Sequence, residues 1–213
     1  MKTKILALAV VLSAFSMNAK AQKVRSLTIG VAPVGYTQAK ISYSNSKREE
    51  KYKYDYKSYF NFNVGYERQF KGVTALTEFT YAKAKFDKYD LEGQSEKFNP
   101  MQSEDISSAS LIFYMGKTLN PGKRIQFPLY IGIGGEYLSG GPFHNLAFDV
   151  AVKARVKYYI TDNVGVFAGA SARYGFGALG FSRGEKEVAT SDRWAYALSN
   201  TMCYIDAGIT IGL

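Results

Sequence analysis

The segment 145–160 admits one kind of secondary structure. Its even positions, Leu146, Phe148, Val150, Val152, Ala154, Val156, Tyr158 and Ile160, are all apolar or aromatic. Its odd positions, Asn145, Ala147, Asp149, Ala151, Lys153, Arg155, Lys157 and Tyr159, hold every charge. Successive side chains of a strand point to opposite faces, whereas a helix would scatter these charges around its circumference. The segment therefore reads as a strand with one greasy face and one ionised face. Its sixteen residues far exceed the ~5–6 usual in a soluble sheet. A tilted strand needs ~9–11 residues to cross hydrocarbon.

The same period of two runs along the rest of the chain. Eight strands are predicted, at 25–35, 57–70, 73–84, 106–117, 127–139, 145–160, 164–175 and 199–213. Phe60, Phe62, Val64 and Tyr66 alternate with Asn61, Asn63, Gly65 and Glu67, and Leu129, Ile131, Ile133 and Tyr137 with Tyr130, Gly132, Gly134 and Glu136. The connections alternate long and short. Residues 36–56, 85–105, 140–144 and 176–198 are expected as loops at one end. Phe70-Lys71-Gly72, Asn120-Pro121-Gly122-Lys123 and Thr161-Asp162-Asn163 are expected as turns at the other. A closed up-and-down barrel with tight turns on one side of a membrane and long loops on the other has this rhythm.

The start of the chain reads as an export signal. Lys2 and Lys4 precede an apolar run, Ile5 to Phe15, and Ala19-Lys20-Ala21 fits a small-x-small cleavage site. Residues 1–21 are thus expected to be removed, leaving a domain at 22–213. No later run is long and apolar enough for a membrane helix of ~20 residues. Cys203 is the single cysteine and excludes an internal disulfide. The formal charge is +9, three units of it in the leader. Export makes acidic lipid headgroups the fitting partner of this charge, and nucleic acid an unfitting one.

Two barrels remain open at this point. A soluble one would put its apolar faces inside; a membrane one would put them outside. Export, strand length and the rings that end the apolar faces (Tyr66, Tyr81, Tyr137, Tyr158 and Tyr174) favour the membrane, since such rings suit its two interfaces. The final strand places Cys203, Ile205, Ala207, Ile209, Ile211 and Leu213 on one face. Its ending, Ile209, Ile211 and Leu213, resembles the terminal assembly signal of outer-membrane proteins, although that signal ends on an aromatic and this one on Leu213. Over residues 23–213 the chain resembles the small outer-membrane β-barrels of the OmpA-membrane-domain or OmpX type. The resemblance implies an all-β, eight-stranded antiparallel barrel in the outer membrane of a Gram-negative cell envelope, inserted by the barrel assembly machinery and surrounded by lipid and lipopolysaccharide.

The lumen of an eight-stranded barrel is just wide enough for side chains to fill. The alternation assigns Glu67, Glu78, Glu136, Asp149, Lys153, Arg155, Lys157, Arg173 and Asp206 to it. These are expected to form a salt-bridge network, with a narrow gated pore as the competing reading. In the first long loop, Lys51, Tyr52, Lys53, Tyr54 and Tyr56 alternate charge with ring. They are contact candidates, either as a solvated loop or as a hairpin continuing above the membrane with an edge open to another strand. Arg193 and Trp194 are candidates in the last loop. No cofactor or metal is expected, with one His and one Cys far apart. His144 has Ser139 and Asp149 nearby in sequence, which does not by itself make a hydrolase. The functional expectation is a non-enzymatic outer-membrane barrel that supports envelope integrity or surface interaction, with a possible extracellular protein partner. The alternatives are a porin-like channel or transport or secretion accessory, and a soluble exported barrel carrying an apolar ligand.

Overall fold

The computed structural model describes residues 25–44, 49–70, 73–92, 105–140, 143–182 and 195–213. They form eight strands: β1 Arg25–Ser44, β2 Glu49–Phe70, β3 Val73–Glu92, β4 Ile106–Leu119, β5 Ile125–Gly140, β6 Phe143–Tyr159, β7 Val164–Ser182 and β8 Ala195–Gly212. Each pairs antiparallel with the next, and β8 pairs with β1, so the sheet closes. The expected leader at 1–21 lies outside the described residues.

The faces sort as membrane immersion requires. Ile131 is 71% exposed and Met115 64%, while Asp149, Glu78 and Lys157 are fully buried. Phe79, Phe113, Leu129, Val152, Val166 and Ile205 continue the exposed apolar surface around the wall. A water-soluble monomer rarely exposes an apolar patch beyond a few hundred Å². A belt covering a whole cylinder is satisfied only by hydrocarbon. Tyr66, Tyr137, Tyr158 and Tyr174 stand on this outer surface as expected. The soluble, ligand-carrying barrel is therefore ruled out: its cavity would have to be apolar, and this interior is ionic.

Several strands run longer than the sequence pattern alone delimits. β1 reaches Ser44, β2 begins at Glu49, β3 continues to Glu92 and β7 to Ser182. The expected loop at 36–56 is thus mostly paired strand. Bulges account for the discrepancy. Between Val31 and Val34 the β1–β8 register slips, and Pro33 stands in the gap, where its missing N–H breaks no ladder bond. Before the slip, odd residues such as Val31 face lipid. After it, even residues such as Val34 and Tyr36 do. β2 slips similarly against β3 between Ser58 and Phe60. An alternation that changes phase looks like an alternation that has ended.

The tight turns have local causes. Asn120 and Gly122 adopt positive φ of 54° and 76°, and the Lys123 amide donates to the Asn120 carbonyl at 3.3 Å. Glycine takes such φ without penalty and asparagine tolerates it. In the turn after β6, the Thr161 hydroxyl accepts the Val164 amide at 3.0 Å. The β5–β6 connection is narrower than the expected 140–144, since β5 ends at Gly140 and β6 begins at Phe143.

Candidate functional site

Strand parity turns all nine of the expected charged residues inward, and each is buried. β6 supplies Asp149, Lys153, Arg155 and Lys157 in descending order toward the short-turn end. Glu67 comes from β2, Glu78 from β3, Glu136 from β5, Arg173 from β7 and Asp206 from β8. The β6 cations reach across the axis to carboxylates on β2, β3 and β8.

The centre of the lumen is a four-membered lattice. One Arg155 nitrogen, Nη2, donates to Glu78 Oε2 at 2.5 Å and to Asp206 Oδ2 at 2.7 Å. Lys153 donates to Glu78 and reaches Asp206 Oδ2 at 3.3 Å. Rings hold these cations from the side: Phe167 lies 4.3 Å from the Arg155 guanidinium, and Tyr114 and Tyr204 flank Lys153 at 5.5 and 5.4 Å. Nearer the short turns, Lys157 Nζ donates to Glu67 Oε2 at 2.5 Å, and the Tyr130 hydroxyl donates to the same oxygen at 2.7 Å. A buried charge left alone costs several kcal/mol, so this pairing is a condition of burying them at all.

Toward the long-loop end the arrangement changes. Arg173 donates to neutral partners, Ser110, Thr80 Oγ1 at 2.7 Å and the Tyr204 hydroxyl at 2.5 Å. Asn200 donates its amide N–H to Glu136. Asp149 has no hydrogen-bond partner among the described residues. The neutral members of the network, Tyr130, Tyr204, Ser110, Thr80 and Asn200, were not among the expected site residues. Their signal was present, since each shares the inward parity of a neighbouring charge.

Above the belt, among the described residues, the pairing of β8, β1, β2 and β3 continues furthest. The β1–β2 register runs to Ser44–Glu49, β1–β8 to Ser44–Ala195 and β2–β3 to Lys51–Glu92. The β3–β4 pairing stops at Ala84–Ile106 and the β7–β8 pairing at Phe176–Ser199. Among the described residues, Lys85–Glu92 of β3 thus forms an edge without a partner strand on its β4 side. Tyr54 and Tyr56 are buried within this extension. That corrects their expected role as exposed contacts: the strand turns them to the inner face, away from any outside partner. Lys53 is half-buried. Lys51 and Tyr52 lie in β2, with side chains outside the described residues, and Arg193 and Trp194 lie outside them altogether. The outer face instead presents Lys40, Lys57, Lys83 and Lys85. Lys57 and Lys85 are register partners. Lys57 also meets Asp87 at 2.8 Å, an exposed contact of small energetic weight. Beside it the Tyr36 hydroxyl donates to Asp55 Oδ1 at 2.5 Å.

The residues around His144 do not assemble a hydrolytic triad. Ser139 and His144 are register partners, 3.3 Å apart from Oγ to Nδ1, and the Tyr137 hydroxyl lies 2.6 Å from the same nitrogen. Asp149 sits on the opposite side of the wall, buried in the lumen. Among the described residues no three of His, Cys, Asp and Glu converge as a metal-binding group. At the terminal strand, Ile209 and Leu213 face lipid, and Ile209 packs in register between Ile29 of β1 and Val166 of β7.

No protein-family model matches the chain, and no curated protein matches it in sequence. Solved structures do. The chain is similar to the outer membrane protein OprG of Pseudomonas aeruginosa, with 9% identity, 92% of this chain and 100% of that chain covered, and a TM-score of 0.53. It is similar also to the outer membrane protease OmpT of Escherichia coli, with 7% identity, 94% and 100% covered, and a TM-score of 0.50. At such identities the likeness speaks to the fold alone. Together with the closed wall, the lipid-facing belt and the ionic interior, it makes this chain an eight-stranded transmembrane β-barrel of the outer-membrane type.

Proposed function

We propose that the protein is a non-enzymatic outer-membrane barrel that works at its long-loop end. The observation that carries this reading is the four-stranded extension β8–β1–β2–β3, which stays paired well beyond the level where β4 begins. A barrel that only had to span a bilayer would need ~9–11 residues per strand; β2 has 22. The surplus is ordered sheet held above the lipid. Its outer face carries lysines beside and above the aromatic rim of Tyr36, Tyr59 and Phe60. Lysines at that height meet the phosphates of lipopolysaccharide, fixing the extension against the membrane surface. The β3 edge, without a β4 partner among the described residues, then offers an extracellular protein a place to add a strand. The lumen contributes rigidity and keeps the envelope sealed, because its ion pairs occupy the axis.

The test replaces Lys40, Lys57, Lys83 and Lys85 by Gln in protein refolded into zwitterionic detergent. Binding of purified lipopolysaccharide is then titrated against a phosphate-free glycolipid. At ~1 kcal/mol per basic residue near an anionic surface, each lysine is worth roughly fivefold in affinity. The quadruple variant is expected to lose lipopolysaccharide binding while the glycolipid response stays level. Equal affinity of wild type and variant for lipopolysaccharide would remove the lysines from the reading.

A further inference from the structure

The charges of the lumen do not balance, and the imbalance can be placed. Among the described residues of the spanning wall, nine charged side chains face inward, five acids and four bases. Lys157 is matched to Glu67, and Lys153 and Arg155 together to Glu78 and Asp206. Glu136, Asp149 and Arg173 remain. Arg173 gives its hydrogen bonds to neutral hydroxyls. Two carboxylates, 1% and 0% exposed, therefore share the field of one guanidinium that bonds neither. Buried charge of this kind has to be neutralised by something.

The oxygens in question converge. Asp149, Gly175 and Asn200 are register partners in a row across β6, β7 and β8. Gly175 leaves the space between its neighbours open. A Cβ there would stand 2.0 Å from Asn200 Oδ1 and 2.6 Å from Asp149 Oδ1, so both oxygens occupy the room the glycine clears. Glu136 lies diagonally across from Asp149 on β5 and is fastened to Asn200 through the amide N–H. Four side-chain atoms of this group have no hydrogen-bond partner: Asp149 Oδ1, Asp149 Oδ2, Asn200 Oδ1 and Glu136 Oε1. All are oxygens. Elsewhere in the lumen each of the other eight charged side chains keeps at least one bonded partner; of the nine, Asp149 keeps none.

The geometry points to a cation site formed by Asp149, Asn200 and Glu136 in the outer half of the lumen. A proton added to the pair supplies one O–H and satisfies at most two of the four oxygens. A hard cation takes oxygen ligands only and satisfies them together, with water completing its shell. Two carboxylates and one guanidinium leave one negative charge, which a monovalent ion neutralises and a divalent ion overshoots. Sodium is the natural probe.

The experiment follows thermal unfolding of the wild-type barrel in zwitterionic detergent by its far-ultraviolet β-sheet signal. Sodium chloride is titrated against choline chloride at constant ionic strength and pH. Choline matches the charge but is too large for a site of this kind. Sodium is expected to raise the midpoint in a saturating manner, as a ligand of the native state does, and Asp149→Asn is expected to abolish the dependence. Should that variant not fold, the wild-type titration still decides. Identical midpoints in sodium and choline overturn the site. So does a midpoint that ignores sodium and climbs as the pH is lowered, because a shared proton is then the neutralising species. Stabilisation by millimolar calcium with none from sodium overturns the monovalent assignment.

Discussion

Arg155 shows how single residues hold this barrel. It reaches two carboxylates from two other strands and lies against Phe167. Arg155→Ala leaves Glu78 and Asp206 with Lys153 as their remaining ionic partner. Removing one member of a buried ion pair costs about 3–5 kcal/mol. The variant is expected to lose about that much in urea unfolding followed in detergent. It is expected to gain no ion conductance in planar bilayers, because Lys153, Lys157 and Arg173 still cross the lumen. Conductance in the variant would mean that Arg155 alone closes the axis. At this scale the sequence was legible for charges and mute for their partners. Parity alone places Glu78 and Arg155 on the same side of the wall. That they meet depends on strand stagger, because they lie 77 positions apart in the chain. The neutral donor Tyr130 was legible only as an inward ring.

At the scale of elements, the strand ends were harder to read than the strands. The bulges near Pro33 and Ser58 reset the alternation, so β1 looks finished at 35 where it runs to Ser44, and β2 looks begun at 57 where it starts at Glu49. The hairpin they form above the membrane stood as one of two readings of the Lys51–Lys57 stretch, and its inward tyrosines could not be told from outward ones without the slip. Turns were legible because their chemistry is local. Gly122 sits at φ 76°, so Gly122→Ala is expected to cost about 1 kcal/mol in urea unfolding. Gly135 faces lipid in extended backbone, and the nearest atom to an added Cβ is the Ala147 carbonyl at 3.7 Å. Gly135→Ala is expected to be neutral or slightly stabilising in the same measurement. Equal losses at the two sites would show that turn conformation is not what Gly122 contributes.

At the scale of the whole molecule, one inversion governs the rest. Val150, Val152 and Val156 face outward while Lys153, Arg155 and Lys157 are buried. A closed, lipid-facing cylinder with every central strand paired resists detergent when cold. The protein from membrane fractions is expected to migrate faster on gels unheated than boiled; a single mobility would argue against closure. The class of fold was legible because the period of two, the strand length and the loop rhythm all reflect the bilayer. The task at the surface was not legible, since residues facing water obey no comparable spacing.

The seam between β1 and β8 has a consequence for how such a chain comes into being. Leu27 pairs with Ile211 and Ile29 with Ile209, so the first strand made is bonded to the last. No ribosome can release a closed cylinder piece by piece, since β1 waits for β8 throughout synthesis. During transit the chain carries two unsatisfied strand edges and a full set of greasy side chains through water, the condition under which strands pair with strangers. The topology therefore makes closure the last step of folding, because the β1 edge finds its partner only when β8 is present.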